Sequence, residues 1–198
     1  MNVVFDLGRV VVQWEPDVLI AALFTDPAVR AAVRAEVIDH PDWLALDRGV
    51  LSPQDAAVRA AARTGVPIDQ ITRLLREVPP ALVPIPETLH LLHRLKAKGH
   101  RLFCLSNMQV ASIEHLERTY TFWDVFEAAV ISCRIHLLKP EPAIYAYLLE
   151  QHALEAAKTV FIDDIPANLH AAARFGIHTI QFERPAQCEA ELKALGCL

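Results

Sequence analysis

No cluster of lysine and arginine stands out along this chain, and its formal net charge is −5 with a pI near 6.0. That balance argues against a nucleic-acid surface. Also missing are an apolar stretch of bilayer-spanning length and a basic-then-apolar leader, so the sequence reads as cytoplasmic, with no membrane partner. Cysteine is sparse. The four present, Cys104, Cys133, Cys188 and Cys197, have no CxxC spacing and no flanking histidine pattern, which excludes a disulfide framework or a zinc site. Cys104 lies within an apolar run and reads as a small buried hydrophobe. His90 and His93 share a helix face but flank a leucine stripe, and no third ligand is placed beside them. Internal repeats and low-complexity segments are lacking too, and no pattern fixes an oligomeric state.

What is present is ample material for a core. The 198 residues are 53% hydrophobic and 22% charged, enough for one large domain or one domain with an insert. Asn2 to Phe5 is a short apolar run that reads as a buried strand and leads directly into Asp6. From Asp17 to about Pro80 only helical patterns follow: Asp17 to Phe24, Ala28 to Ile38, Asp42 to Leu46, a helix opening at Ser52-Pro53 and running to about Arg63, and Asp69 to Glu77, which ends before Pro79-Pro80. Beyond Pro86 helix and strand alternate. Strands are expected at Arg101 to Leu105, Ala128 to Ser132, Thr159 to Ile162 and His178 to Phe182. Helices are expected at Glu87 to Lys98, Ala111 to Thr119, Pro142 to His152, Pro166 to Phe175 and Glu189 to Leu195.

This pattern predicts an α/β fold, a Rossmann-like parallel sheet with helices on both faces, interrupted after the first strand by an all-helical cap. The expected division is a core of residues 1–13 and 84–198 and a cap of residues 14–83.

Polar residues gather where the strands end, which is where open parallel sheets place ligand sites. Asp6 follows the first strand, Ser106-Asn107 the second, Lys139-Pro140 lies in a later loop, and Asp163-Asp164 closes the fourth. A carboxylate that attacks a phosphoryl group approaches an anion with an anion, so it needs a cation and a metal beside it. An acidic pair supplies oxygen ligands for Mg²⁺. Lys139 is held extended by the following proline and can project its ammonium toward the nucleophile and the phosphate. Ser106 and Asn107 can donate hydrogen bonds to phosphate oxygens. Taken singly, each has an ordinary reading as a turn, cap or loop residue; the set in this order is much less expected by chance.

Phe5-Asp6-Leu7-Gly8, Leu105-Ser106-Asn107, Lys139-Pro140-Glu141-Pro142-Ala143-Ile144-Tyr145 and Phe161-Ile162-Asp163-Asp164 resemble the four motifs of the haloacid dehalogenase (HAD) superfamily of aspartate-nucleophile hydrolases. Asn168 also fits. The resemblance spans essentially the whole chain, is weakest in the cap, and implies a C1-type helical cap and phosphatase activity dependent on Mg²⁺. It assigns Asp6 as nucleophile, Ser106, Asn107 and Lys139 to phosphate, and Asp6, the Gly8 carbonyl and Asp164, supported by Asp163, to the metal.

One position departs from the family pattern. The motif usually carries a second aspartate, the general acid and base, where this chain has Gly8; Arg9 follows. A branch resembling sugar-1-phosphate phosphatases has the same Asp-Leu-Gly. Without the carboxyl, poor leaving groups should suffer most unless a cap group or water donates the proton. The expected substrate is a small phosphorylated metabolite such as a sugar 1-phosphate. Alternatives are a 2-haloacid dehalogenase, which the resemblance implies would lack the acidic pair, and a weakly active binding or regulatory member of the fold. Candidates for cap or substrate contacts are Arg9, Trp43, Asp47 and Arg48. Arg9 reads equally as a structural residue, and Asp47-Arg48-Gly49 equally as a helix end closed by glycine.

Overall fold

Five short strands, β1 (Asn2–Phe5), β2 (Arg101–Ser106), β3 (Ala128–Ile131), β4 (Thr159–Asp163) and β5 (His178–Gln181), form one parallel sheet in the order β3-β2-β1-β4-β5. The computed structural model describes all residues 1–198. Alternation along each strand divides the core. Val3, Phe5, Leu102, Cys104, Val160 and Ile162 join one apolar cluster, and Val4, Phe103, Leu105 and Phe161 join another. Both faces are therefore covered, as a parallel sheet requires. Helices α6 (Pro86–Ala97), α7 (Val110–Thr119) and α11 (Pro185–Ala194) supply the first face through Leu92, Leu95, Ile113, Leu116 and Leu192. Helices α9 (Pro142–Gln151) and α10 (Pro166–Ala173) cover the second through Ile144, Tyr145, Leu148, Leu169 and Ala172. A one-turn helix, α8 (Ser132–Ile135), follows β3.

Between β1 and α6 lie α1 (Pro16–Leu23), α2 (Pro27–Val33), α3 (Pro41–Asp47), α4 (Pro53–Thr64) and α5 (Ile68–Ala81). Ile20, Val33, Leu46, Ala57, Ile71 and Leu74 give them an apolar cluster of their own. The two chain segments that join these helices to the sheet run side by side: Gln13 N–H donates to the Val83 carbonyl at 2.8 Å and Ile85 N–H to that of Val11 at 2.8 Å. Proline starts most of the helices. Pro16, Pro27, Pro41, Pro53, Pro86, Pro142, Pro166 and Pro185 all occupy the first turn, where a missing N–H costs nothing and φ is already helical.

Four expected boundaries are corrected. α5 does not stop at Glu77 but runs through Pro79 and Pro80 to Ala81. Proline's φ is helical, and the backbone bonds lost at Pro79 and Pro80 are offset by burial of Leu75, Val78 and Pro79 on the apolar face. The segment Ala28 to Ile38 is not one α-helix: after Val33 it widens into a π-turn, Arg34–Ile38, closed by Asp39 N–H to the Arg34 carbonyl at 3.0 Å. Ser132 leaves the strand to open α8. The last helix begins at Pro185 rather than Glu189.

The helical insert is fastened to the sheet side at residues 47–49. The Ser132 hydroxyl donates to the Asp47 carbonyl at 2.5 Å, and the Arg48 guanidinium pairs with both Glu141 oxygens and donates to the His136 carbonyl at 2.9 Å. Gly49 has φ +73, and a Cβ there would lie 2.6 Å from the Cys133 carbonyl oxygen. Gly49→Ala therefore meets left-handed strain and a backbone clash together, and should lower stability by at least ~1 kcal/mol. Denaturant titration measures this, and an unchanged midpoint would show that the junction is slack.

Candidate active site

β1 is the strand at which the sheet order reverses, with β2 on one side and β4 on the other. Such a switch point opens a crevice beyond the carboxyl ends of the strands, and Asp6 stands there, its N–H bonded to the Ile162 carbonyl at 2.9 Å. Ser106 ends β2 and Asp163 ends β4, so three polar residues come together from neighbouring strands. A cavity of about 300 Å³ opens above them, lined by Asp6, Gly8, Ser106, Asn107, Lys139 and Asp164 below and by residues of the helical insert above.

The electrostatics centre on Lys139. Its ammonium is buried, with Nζ 2.9 Å from Asp6 Oδ1 and 2.6 Å from Asp163 Oδ2, and it sits over the Phe161 ring at 5.4 Å from the centroid. The paired carboxylates hold it protonated, pushing its pKa above the ordinary lysine value against the opposing effect of burial. Asp6 moves up to about 6, because burial and the Asp163 charge outweigh the pull of Lys139. Asp163 is fully buried and its oxygens are occupied. Oδ1 accepts from Ile165 N–H at 2.8 Å and from Asn168 Nδ2 at 3.0 Å, and Oδ2 accepts from Lys139 and again from Asn168. Asp164 is only partly buried, and burial with the neighbouring Asp163 raises its pKa.

Carboxylate oxygens of Asp6, Asp163 and Asp164 lie within 4.8 Å of one another. Three carboxylates against one buried ammonium leave an excess of negative charge, and all the donors are oxygen. That set fits a hard divalent cation such as Mg²⁺.

Asn107 has a task besides the one expected of it. Its side-chain amide donates to the Lys139 carbonyl at 2.9 Å and accepts from Lys139 N–H at 2.8 Å. It lines the cavity, but its first task is to fix the backbone that carries Lys139. Arg9 has φ 60, donates from Nε to the Trp14 carbonyl at 3.1 Å, and brings Nη1 within 3.8 Å of Asp164 Oδ2. Trp43 lines the cavity and stacks on Trp14 with ring centroids 5.7 Å apart. Asp47 lines it as well and is buried, whereas Arg48 does not line it, being committed to Glu141 and His136. Sequence reasoning missed Gln109, a buried cavity residue whose Nε2 has no hydrogen-bond partner; no spacing or motif signals it. Arg34 and Asp39, at the two ends of the π-turn, also reach the cavity.

Residues 62–182 match the model of the haloacid dehalogenase-like hydrolase family. The chain belongs to this family. The matched stretch covers β2 to β5 with Ser106, Asn107, Lys139 and the acidic pair, while Asp6 lies before it. The chain is 26% identical to the sesquiterpene phosphatase astK of Aspergillus oryzae, covering 98% of this chain and 96% of that protein. Among solved structures, a wild-type HAD family enzyme of Bacteroides thetaiotaomicron in complex with magnesium and inorganic phosphate superposes with a TM-score of 0.68 at 22% identity, covering 92% of this chain and 93% of that one. The L-2-haloacid dehalogenase RSc1362 superposes with a TM-score of 0.70 at 22% identity, covering 92% and 86%. An enzyme in complex with magnesium and phosphate and a dehalogenase thus share the fold, and the fold alone does not choose between their chemistries. No helix is long and apolar enough to cross a membrane.

Proposed function

We propose that this HAD-like hydrolase is a Mg²⁺-dependent phosphatase acting on a small phosphorylated metabolite, with Asp6 as nucleophile. The observation that carries the reading is the convergence of Asp6, Asp163 and Asp164 around one buried lysine. Displacement at a haloacid carbon involves no phosphoryl charge and gives no reason to collect three carboxylates. A weakly active binding protein would have no reason to keep them paired with Lys139 in a cavity.

The roles follow from the geometry. One Asp6 oxygen accepts from Leu7 N–H at 2.7 Å and from Lys139, which fixes the carboxylate and leaves the other oxygen for attack. Lys139 lowers the charge of the nucleophile and of the phosphate it approaches. Ser106 stands beside Asp6 and helps stabilise its ionised form, and from there its hydroxyl can reach a phosphate oxygen. A divalent cation, when bound, would neutralise phosphate charge and be held by Asp6, the Gly8 carbonyl and Asp164. Asp163, its oxygens already occupied, supports the site by positioning Lys139.

Residues 14–83 act as the cap over a core of residues 1–13 and 84–198, with the paired segments near Gln13 and Val83 as hinges. Opening would break the Arg48–Glu141 and Ser132–Asp47 contacts. Two readings of the leaving group follow. The first-motif Asp-Leu-Gly favours a sugar 1-phosphate, while the stacked Trp14–Trp43 pair with Ile38, Leu44, Val78 and Leu82 on the cavity wall favours a group with an apolar face.

Release of inorganic phosphate from an aryl phosphate, with Mg²⁺ and after exhaustive chelation, tests the reading. Turnover with metal and its loss on chelation is the expected result, and calorimetry should register Mg²⁺ binding that Asp164→Asn weakens. Halide release from 2-chloropropionate with no phosphate release would move the assignment to the dehalogenase.

A further inference from the structure

Gly8 leaves the site without the carboxyl that the first motif usually provides, and the cavity contains another. Asp47 is the last residue of α3. It is buried and borders the same cavity as Asp6, Lys139, Ser106 and Asn107, but from the helical insert. An in-line attack by Asp6 expels the leaving oxygen away from the sheet, toward those helices. We propose that Asp47 is the general acid and base of the reaction, delivering from the cap the proton that Gly8 does not supply. The inference rests on the phosphatase reading above.

Several independent observations converge on Asp47. Its backbone is suspended from the Ser132 hydroxyl, which also accepts from Met108 N–H at 2.9 Å, so Asp47 is registered to the loop that carries Asn107. Arg48 and Gly49 anchor the next two residues to Glu141 and Cys133. The side chain of Gln109, nine-tenths buried on the same cavity and with no hydrogen-bond partner for its Nε2, lies close enough to Asp47 to favour its ionised form. No arginine or lysine forms an ion pair with the Asp47 carboxyl. The charged groups that act on it are Asp6, which opposes its ionisation, and the more weakly felt Lys139; the Cys133 thiol also faces it. Burial and the Asp6 charge together bring its pKa to about 7. A carboxyl so placed is divided between acid and base near neutral pH, the condition under which both proton transfers proceed.

The step balances in both halves. Asp6 forms a bond to phosphorus while the bond from phosphorus to the leaving oxygen breaks, and that oxygen takes the Asp47 proton. Water then takes the place of the departed alcohol and attacks phosphorus, giving its proton to the Asp47 carboxylate. The aspartyl–phosphorus bond breaks, phosphate departs, and Asp6 and Asp47 return to their starting states. One water is consumed.

The test is the dependence of kcat/KM on leaving-group pKa across aryl and alkyl phosphates, with Mg²⁺ present. The wild type should show a shallow slope. Asp47→Asn should steepen that slope, losing on the order of 10²–10⁴-fold in kcat/KM on the poorest leaving group and far less on the best, while the lost base lowers kcat on all of them. A uniform loss, or an unchanged slope, would overturn the proposal and make Asp47 a structural or binding residue. Gly8→Asp supplies the second arm. Gly8 is not in a left-handed conformation, and an added Cβ meets only Trp14 Cβ at 4.0 Å, so a side chain can start there without a clash. In the Asp47→Asn background it should restore the shallow slope; failure to do so counts against an acid role. Should Asp47→Asn not fold, Gly8→Asp alone decides. A slope it leaves unchanged supports an acid already present, and a steep wild-type slope that it flattens overturns the proposal. Absence of phosphate release from every substrate would instead remove the phosphatase reading itself.

Discussion

Replacing Asp6 by asparagine is expected to abolish phosphate release without unfolding the protein. Removal of a nucleophile or its partner from other covalent hydrolases costs on the order of 10⁴–10⁶-fold, and no second carboxylate here can take over. Asp163 has its oxygens bound to Lys139, Asn168 and the Ile165 N–H, and Asp164 stands beyond it on the metal side. Stability should hold or rise. The Asp6 pKa of about 6 lies above that of an exposed aspartate, so its ionised form is a cost to the fold at neutral pH. Asparagine keeps the shape, and Lys139 retains Asp163 as its partner. Thermal denaturation beside a phosphate-release assay measures both effects. Activity within tenfold of wild type would remove Asp6 from the chemistry.

Lys139→Met should have the largest effect on stability. It leaves Asp6 and Asp163 facing each other in a buried site with no cation between them, and removing one partner of a buried ion pair costs about 3–5 kcal/mol. The sign of the pH dependence follows. Without Lys139 the folded-state pKa of Asp6 rises further above its unfolded value. The added instability should therefore be small in acid, where Asp6 is protonated, and grow as pH rises through the folded pKa of Asp6. Urea titrations across pH check this. A deficit that is independent of pH would mean that Lys139 acts through packing alone. Arginine should not substitute, because the Nζ lies between two carboxylates in a space shaped for a compact ammonium.

The sheet was legible because most of its strands are short, largely apolar runs, and because β2 and β4 end at chemistry-bearing residues while β1 leads straight to Asp6. Lys139 and Ser106 were legible by type and place. The hold of Asn107 on the Lys139 backbone was not legible, since its two hydrogen bonds join positions 32 residues apart. The exit of α5 was misread because two adjacent prolines end most helices, whereas here the prolines fall in the last turn against a buried face. The π-turn at Arg34–Ile38 has no local sequence signal, since it is one extra residue absorbed by packing. Asp47 shows the boundary most clearly. As a sequence, Asp47-Arg48-Gly49 is equally a helix end or a site contact; the structure makes it a helix end with Asp47 on the cavity wall. Gly49 closes the turn against Cys133, Arg48 anchors it, and the carboxyl is buried at the cavity wall because Ser132 holds the backbone there. None of those partners is near in sequence.

Trapping the covalent intermediate tests the central claim most directly. Enzyme mixed with an aryl phosphate and Mg²⁺, quenched in acid during turnover and digested, should yield the N-terminal peptide carrying one phosphoryl group on Asp6, absent from Asp6→Asn and from samples without metal. A wild-type peptide that stays unmodified at every quench time while phosphate accumulates, or a phosphoryl group found on another residue, would contradict the account.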